Sequence, residues 1–280
     1  MRNIIITIIM VNLISADLLK PENNASLNQI YIMFEWGQEA EAQLYHFELS
    51  DDDSFTNPIV SKNIDDLKLI NIEKDAIEWN HTYYWRVIPI DENGQYLSPI
   101  NTFTFTTNST ISNPSVIMNS PDNYNDGLTI LGSFFDYFSA IIDKEGNEIW
   151  NSGDLNLIFY NTDEYGRFFG AIYDGTLENN YPGVKFSFED GIVWQEPNDN
   201  FIHHDIFQLP NGNYIGLGTS EQDGPIPLGP WTGLFQMLGY EADGETLEFT
   251  WVGDKIIEWD AETKEEIWVW DTFDHYDMID

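Results

Sequence analysis

Two short apolar strands joined by an acidic turn, with a tryptophan on the second strand, occur three times in the sequence. The copies lie at residues 141–150, 186–194 and 256–268. Trp150 and Trp194 are 44 residues apart, which is the length of one four-stranded blade of a β-propeller. Trp194 and Trp268 are 74 residues apart, so the Gly- and Pro-rich segment 218–250 is interpreted as an insertion. Such a repeat restricts this part of the chain to an all-β architecture.

The repeat favours a β-propeller over residues 116–280. This stretch is long enough for about four blades. A twisted β-sandwich built from the same hairpins is the alternative fold. Both folds are all-β, and the spacing of the tryptophans favours the propeller.

Residues 17–107 form another all-β region with a different strand pattern. Strands are predicted at residues 31–36, 45–50, 81–87 and 102–107. In the second of these strands, Tyr45, Phe47 and Leu49 fall on one face. Strands at such regular spacing over one region predict a β-sandwich. The polar segment 108–115 is interpreted as the linker to the propeller.

The order of aromatic motifs in this region resembles a fibronectin type III domain. Phe-Glu-Trp at 34–36 is followed by Tyr-x-Phe-x-Leu-Ser at 45–50, Asp-x-x-Phe at 52–55 and Tyr-Tyr-Trp-Arg-Val at 83–87. The resemblance covers the whole region and includes no catalytic motif. It implies that the domain acts in spacing or adhesion.

The N-terminus has the three parts of a secretory signal peptide, which is predicted over residues 1–16. A short basic start at 1–3 precedes an apolar run at 4–14 and the small residues Ser15 and Ala16. We expect cleavage after Ala16 and export to the bacterial periplasm or the medium. The apolar run is too short to cross a bilayer comfortably, so no membrane span is predicted. A buried first strand is the alternative.

The charge of the chain limits its partners. The sequence has 48 acidic and 11 basic residues and a net charge of -37, which argues against nucleic acid or an anionic membrane as a partner. Without any cysteine, disulfides, thiolate metal sites and thiol nucleophiles are excluded. Acidic segments at 51–53 and 122–126 are candidates for calcium binding. Neither matches a complete loop signature, and solvated acidic turns are the favoured interpretation.

The strongest candidate site is a strand at residues 202–208 that carries His203, His204 and Asp205 and ends in a Pro-Asn-Gly-Asn turn. Alternation places His203 and Asp205 on one face and His204 on the other, unless a bulge intervenes. Neighbours on opposite faces chelate poorly and no His-Glu-x-x-His motif is present, so no metal site is predicted. Asp205 is a candidate to fix the tautomer of His203. The alternative is that one imidazole satisfies backbone groups and the other is solvated.

The motif His-His-Asp-x-x-x-Leu-Pro-Asn-Gly-Asn at 203–213 resembles the active-site strand of the arylsulfotransferase family of β-propellers. The hairpins are similar too, and the resemblance covers about residues 114–280. It implies a six-bladed propeller that moves a sulfuryl group from an aryl sulfate to a phenol through a histidine intermediate, without a nucleotide donor or other cofactor. By this resemblance His204 is a catalytic hydrogen-bond donor or proton shuttle, with His203 second and Asp205 orienting.

The sequence departs from the family in one respect. The nucleophilic histidine and an arginine are expected further along the chain, in a Trp-x-His-x-Asn-like segment and in later segments, and no such motif follows the histidine strand. His275 lies in an aromatic, acidic stretch typical of a loop. We therefore expect a propeller truncated at its C-terminus, with about four of six blades and no activity alone. The alternative function is a non-catalytic surface propeller that binds glycans or proteins, and nothing in the sequence sets the oligomeric state.

Overall fold

The computed structural model describes residues 16–71, 76–114, 127–173, 175, 181–188, 190–197 and 202–276. These residues are mainly β-structure and turns, with one short α-helix and one short 3-10 helix. Neither of these described helices has the length and apolar character needed to cross a membrane. The predicted signal peptide, apart from Ala16, and the acidic segment 122–126 lie outside the described residues. The chain divides into two compact units, Met1–Asn113 and Pro114–Asp280, and the division falls inside the predicted linker.

The first unit has eight described strands in two sheets. They are β1 (Leu18–Lys20), β2 (Ala25–Leu27), β3 (Ile32–Trp36), β4 (Leu44–Ser50), β5 (Val60–Ile64), β6 (Lys68–Asn71), β7 (Thr82–Ile90) and β8 (Thr102–Thr107). One sheet has the order β1-β3-β6 and the other the order β2-β8-β7-β4-β5. Neighbouring strands are antiparallel except β2 and β8, which are parallel.

Aromatic side chains from both sheets form one core in the first unit. The ring centroid of Phe34 lies 4.8 Å from that of Phe47 and 5.2 Å from that of Trp85. Tyr45, Phe47 and Leu49 are all buried, which confirms the face predicted from alternation in β4. Because the two sheets bury their inner faces in one cluster, this unit is a two-layer β-structure.

The second unit has eleven described strands. They are β9 (Thr129–Ser133), β10 (Phe138–Ile142), β11 (Glu148–Asn151), β12 (Leu157–Thr162), β13 (Phe168–Ile172), β14 (Gly183–Ser187), β15 (Gly191–Gln195), β16 (Ile202–Gln208), β17 (Tyr214–Gly224), β18 (Phe249–Trp259) and β19 (Glu266–Asp271). Helix α1 (Thr232–Leu238) lies between β17 and β18, and a 3-10 turn (Thr272–Asp274) follows β19. The strands form three consecutive antiparallel meanders, β9 to β11, β12 to β15 and β16 to β19.

The three hairpins of the sequence repeat are the last two strands of the three sheets, β10–β11, β14–β15 and β18–β19. Trp150, Trp194 and Trp268 each lie on the last strand of a sheet, so one repeat corresponds to one sheet. The predicted insertion is present between Gly224 and Phe249 and contains α1. The described residues of this unit form three sheets where about four blades were expected. The insertion and the long strands β17 and β18 leave fewer residues for a further sheet.

The second and third sheets of this unit share a core. It is formed by Phe169, Trp194, Ile206, Tyr214, Ile257 and Trp259. Trp194 stacks on Tyr214 with 3.8 Å between ring centroids, so a tryptophan of the sequence repeat joins neighbouring sheets. Strand β12 lies beside both β9 and β16. The first described strand of the middle sheet is therefore in contact with the corresponding strands of the other two.

Candidate functional site

Strand β12 is fixed to the preceding sheet by a buried serine. The Ser139 hydroxyl donates to the Leu157 carbonyl oxygen at 2.8 Å and accepts from the Phe159 backbone N–H at 2.8 Å. Gly132 of β9 also lies close to β12, because a Cβ there would stand 2.8 Å from the Phe159 carbonyl oxygen. A side chain at this glycine would push the strands apart. These contacts therefore fix the backbone of β12 immediately before Tyr160 and Asn161.

Strand β16 contains a bulge at the histidine doublet. Ile202 pairs with Gly218 and Ile206 pairs with Gly216, so three residues of β16 lie opposite one residue of β17. His204, in the bulge, has a φ of 41°, which is uncommon for a residue other than glycine. The bulge that would interrupt the simple alternation predicted for this strand is therefore present at His204.

The imidazole of His204 lies against an aromatic pair. Its ring centroid is 4.7 Å from that of Tyr160 and 5.7 Å from that of Phe134. Phe134 and Tyr160 are stacked, with 6.1 Å between centroids. His204 keeps part of its surface in solvent, so the imidazole is accessible at one end of the aromatic pair. The side chain of His203, the second predicted site residue, lies outside the described part of the chain.

Asp205 is linked to β12 rather than standing alone in the bulge. Its Oδ1 accepts a hydrogen bond from Asn161 Nδ2 at 3.2 Å. This contact joins the two strands that carry the site. The carboxylate also lies close enough to Tyr160 to help raise the pKa of that phenol. The predicted orienting residue is therefore hydrogen-bonded to β12 and lies near the tyrosine.

Tyr160 is the main functional candidate that the sequence analysis missed. Among the described residues its hydroxyl is buried and has no hydrogen-bond partner, and the same is true of Asn161 Oδ1. Burial, followed by the nearby Tyr181 and Asp205, raises the pKa of Tyr160 far above its ordinary value. The phenol is therefore a neutral hydrogen-bond donor throughout the physiological pH range. Leaving a buried polar group unpaired is costly, which makes this hydroxyl a candidate for ligand binding.

The repeat period contained a signal that would have found this residue. Asn161 and Asp205 are 44 residues apart, and so are their neighbours Tyr160 and His204. This is also the separation of the repeat tryptophans Trp150 and Trp194. The residues that meet at the site therefore occupy equivalent positions in consecutive repeats.

The other histidines of interest lie elsewhere in the molecule. His275 stacks on Trp270 with 5.0 Å between ring centroids, beyond the far strand of the sheet that begins with β16. His46 contacts Asn63 and Ser61 on the surface of the first unit. Across the residues that the structure describes, no three His, Cys, Asp or Glu side chains are grouped so that they could hold a metal ion.

An open cavity of about 490 Å³ lies between the turn after β12 and the turn after β16. Its lining includes Asp163, Tyr165, Arg167 and Gln208. Arg167 forms an ion pair with Asp163 and donates to Gln208 Oε1 at 2.7 Å. Lys185 donates to the same oxygen at 3.0 Å, and burial together with the charge of Arg167 lowers its pKa. The cavity thus combines an exposed aromatic ring with charged and amide groups.

Comparison with models of known protein families finds no match to this chain, and comparison with curated proteins finds none either.

Proposed function

We propose that the protein is an exported protein of the arylsulfotransferase type, with a fibronectin type III-like domain followed by β-propeller blades. Three consecutive meanders whose first strands lie together support the propeller. The sheet orders of the first unit support the fibronectin-like sandwich, because a three-stranded sheet packs on a sheet with the central order β8-β7-β4-β5.

The observation that carries the proposal is the position of His204 beside the ring of Tyr160 and its unpaired hydroxyl. An aromatic pair is a suitable surface for a phenol ring, which stacks or packs edge-on at similar distances. Apolar rings beside a few precisely placed polar groups are typical of small-molecule binding sites. Aryl sulfates and phenols are the ligands that fit this combination, as the resemblance of the histidine strand implies.

In sulfuryl transfer, a nucleophile forms a bond to sulfur as the bond from sulfur to the aryl oxygen breaks. Negative charge collects on the sulfuryl oxygens and on the departing phenolate oxygen. In this proposal the neutral Tyr160 hydroxyl donates to one of these oxygens, which stabilises the transition state. His204 donates similarly or returns a proton to the phenolate. The nucleophilic histidine is not assigned to any residue of this chain.

Binding of 4-nitrophenyl sulfate to the 280-residue chain tests the site. We expect His204→Ala, Tyr160→Phe and Phe134→Ala each to weaken binding by about tenfold, since each removes one direct contact. Phe135→Ala is the matched control, because the neighbouring Phe135 ring is almost fully exposed. Binding that is the same in wild type and His204→Ala would remove the role assigned to the imidazole.

Transfer is measured separately, as 4-nitrophenolate release in the presence of a phenol acceptor. Release that depends on His204 would extend the proposal from binding to catalysis. Absence of both binding and release would favour the alternative function.

That alternative, a non-catalytic propeller that binds glycans, is supported by the cavity at Tyr165. Sugars bind where an exposed ring lies beside charged and amide side chains that accept and donate hydrogen bonds. Titration with oligosaccharides distinguishes the two functions, because glycan binding would be lost in Tyr165→Ala and retained in His204→Ala.

A further inference from the structure

Helix α1 presents an apolar face to solvent. This face contains Trp231 at the N-cap, followed at helical spacing by Leu234 and Leu238. Met237 lies at the side of the same face. Leu234, Leu238 and Met237 are 54, 63 and 76 % exposed, and no residue of the helix is buried. Surface helices normally turn such a face toward a core, so this face lacks a packing partner within the described structure.

The insertion that carries the helix is held together by its own contacts. Phe235 packs against Tyr240 and Phe249 at 5.8 and 5.7 Å between ring centroids. The indole of Trp231 donates to the Pro227 carbonyl oxygen at 2.7 Å, and that of Trp251 donates to the Pro225 carbonyl oxygen at 3.1 Å. Phe235 therefore fixes the helix to the insertion, while Leu234, Met237 and Leu238 remain exposed.

Other apolar side chains of this region are also exposed to solvent. Leu228 and Leu247 are largely exposed, as is Val252 on the adjoining strand. We call Trp231, Leu234, Met237 and Leu238 the insertion patch. Large exposed apolar surfaces with a polar rim mark sites of protein interaction.

The charge of the same segment restricts the partner. Residues 221–253 contain six acidic residues and no lysine or arginine. Some of these carboxylates have fixed positions, since Glu248 accepts hydrogen bonds from the backbone N–H groups of Glu241 and Ala242 at 2.6 Å. A second copy of this chain would bring the same acidic rim against itself. A partner with apolar and basic side chains would satisfy both the patch and its rim.

We propose that the insertion patch docks a cationic amphipathic helix of another protein. Leucine-like side chains of the partner would cover Leu234, Met237 and Leu238, and its lysines or arginines would face the acidic rim. A groove or face lined by leucine, methionine and tryptophan is well suited to this mode of helix recognition. The inference is independent of the proposed sulfuryl chemistry, because the patch lies on a different element from the His204 site.

The test is binding of a fluorescent synthetic peptide of about 18 residues, with leucine and lysine at helical spacing, to the full chain. We expect binding that weakens at high salt, and no binding of a peptide with glutamate in place of lysine. The double variant Leu234→Gln/Met237→Gln should bind at least about tenfold more weakly. Leu155→Gln is the matched control, since Leu155 is an exposed leucine on the turn before β12. Circular dichroism of both variants checks that the fold is intact.

Equal binding of the lysine peptide by wild type and the double variant would overturn the proposal. Self-association of the full chain that the double variant abolishes would overturn it too, because a second copy would then be the occupant. So would binding to zwitterionic phosphatidylcholine vesicles through the patch without binding of the peptide.

Discussion

Tyr160 is a residue at which stability and function oppose each other. Its hydroxyl is buried without a partner among the described residues, and such a group costs about 1–3 kcal/mol of folding free energy. The same unpaired hydroxyl is the proposed donor to a sulfuryl oxygen. A residue that weakens the fold and serves a ligand is a common arrangement at functional sites.

We expect Tyr160→Phe to raise the free energy of unfolding by about 1 kcal/mol at pH 7, because the unpaired hydroxyl is removed while the ring remains. The variant should also change the response to alkali. Burial raises the pKa of Tyr160 in the folded protein, so ionisation costs the folded state nothing below about pH 10, where an unfolded tyrosine titrates, and the free energy of unfolding falls as pH rises further. Urea unfolding between pH 7 and 12 measures both effects.

Tyr165→Phe serves as the control, since the Tyr165 side chain is mostly exposed. Its unfolding curve should follow that of wild type at each pH. A loss of stability in Tyr160→Phe at pH 7, or an alkaline decline as steep as that of wild type, would contradict the description of this hydroxyl. Buried Tyr83 and Tyr214 also have raised pKa values, so part of the alkaline decline remains in the variant.

At the level of secondary-structure elements, the turn between β16 and β17 is fixed by side chains as well as by backbone. The amides of Asn211 and Asn213 both donate to Glu258 Oε1, at 3.2 and 2.8 Å. Gly212 between them has a φ of 95°. The Pro-Asn-Gly-Asn sequence therefore has a structural explanation. Glycine permits the left-handed backbone, and the asparagines connect the turn to β18.

Replacing glycine with alanine should change the free energy of unfolding in opposite directions at two positions of this unit. Gly212→Ala should lower the free energy of unfolding by about 1–2 kcal/mol, since alanine is strained at this positive φ. Gly233→Ala, within α1, should raise the free energy of unfolding by about 0.5–1 kcal/mol through helix propensity. An added Cβ meets no atom within 4 Å at either site, so packing does not confuse the comparison. Urea titration followed by tryptophan fluorescence measures both, and effects of the same sign would refute this account.

The sequence predicted secondary-structure elements better than it predicted contacts between residues from different sheets. The hairpins, the insertion and the buried face of β4 follow from local alternation and spacing, and the structure contains all three. The bulge in β16 does not follow, because it depends on pairing with β17 and on neighbours from another sheet. The contact of His204 with Phe134 joins residues far apart in sequence, and no local pattern predicts it.

At the scale of the whole molecule, negative charge is the dominant property. A net charge of -37 produces self-repulsion that opposes compact folding. The chain has only 11 basic residues for 48 acidic ones, so most carboxylates cannot each have a basic partner of their own. Dissolved ions therefore supply much of the screening.

We expect the melting temperature to rise by at least about 2–4 °C when NaCl is increased from about 0.1 to 1 M, which corresponds to about 1 kcal/mol for a protein of this size. The Debye length falls from about 10 to 3 Å over this range, so repulsion between surface carboxylates weakens. Differential scanning calorimetry measures the change. KCl at equal concentration should give the same rise, and a melting temperature that falls or stays constant would show that repulsion does not limit stability.

The serine that clasps β12 to the preceding sheet also bears on how the chain assembles during translation. Ser139 leaves the ribosome before Leu157 and Phe159, so the serine hydroxyl is present before β12, to which it bonds, has been synthesised. We therefore expect the sheets of this unit to form in chain order during synthesis.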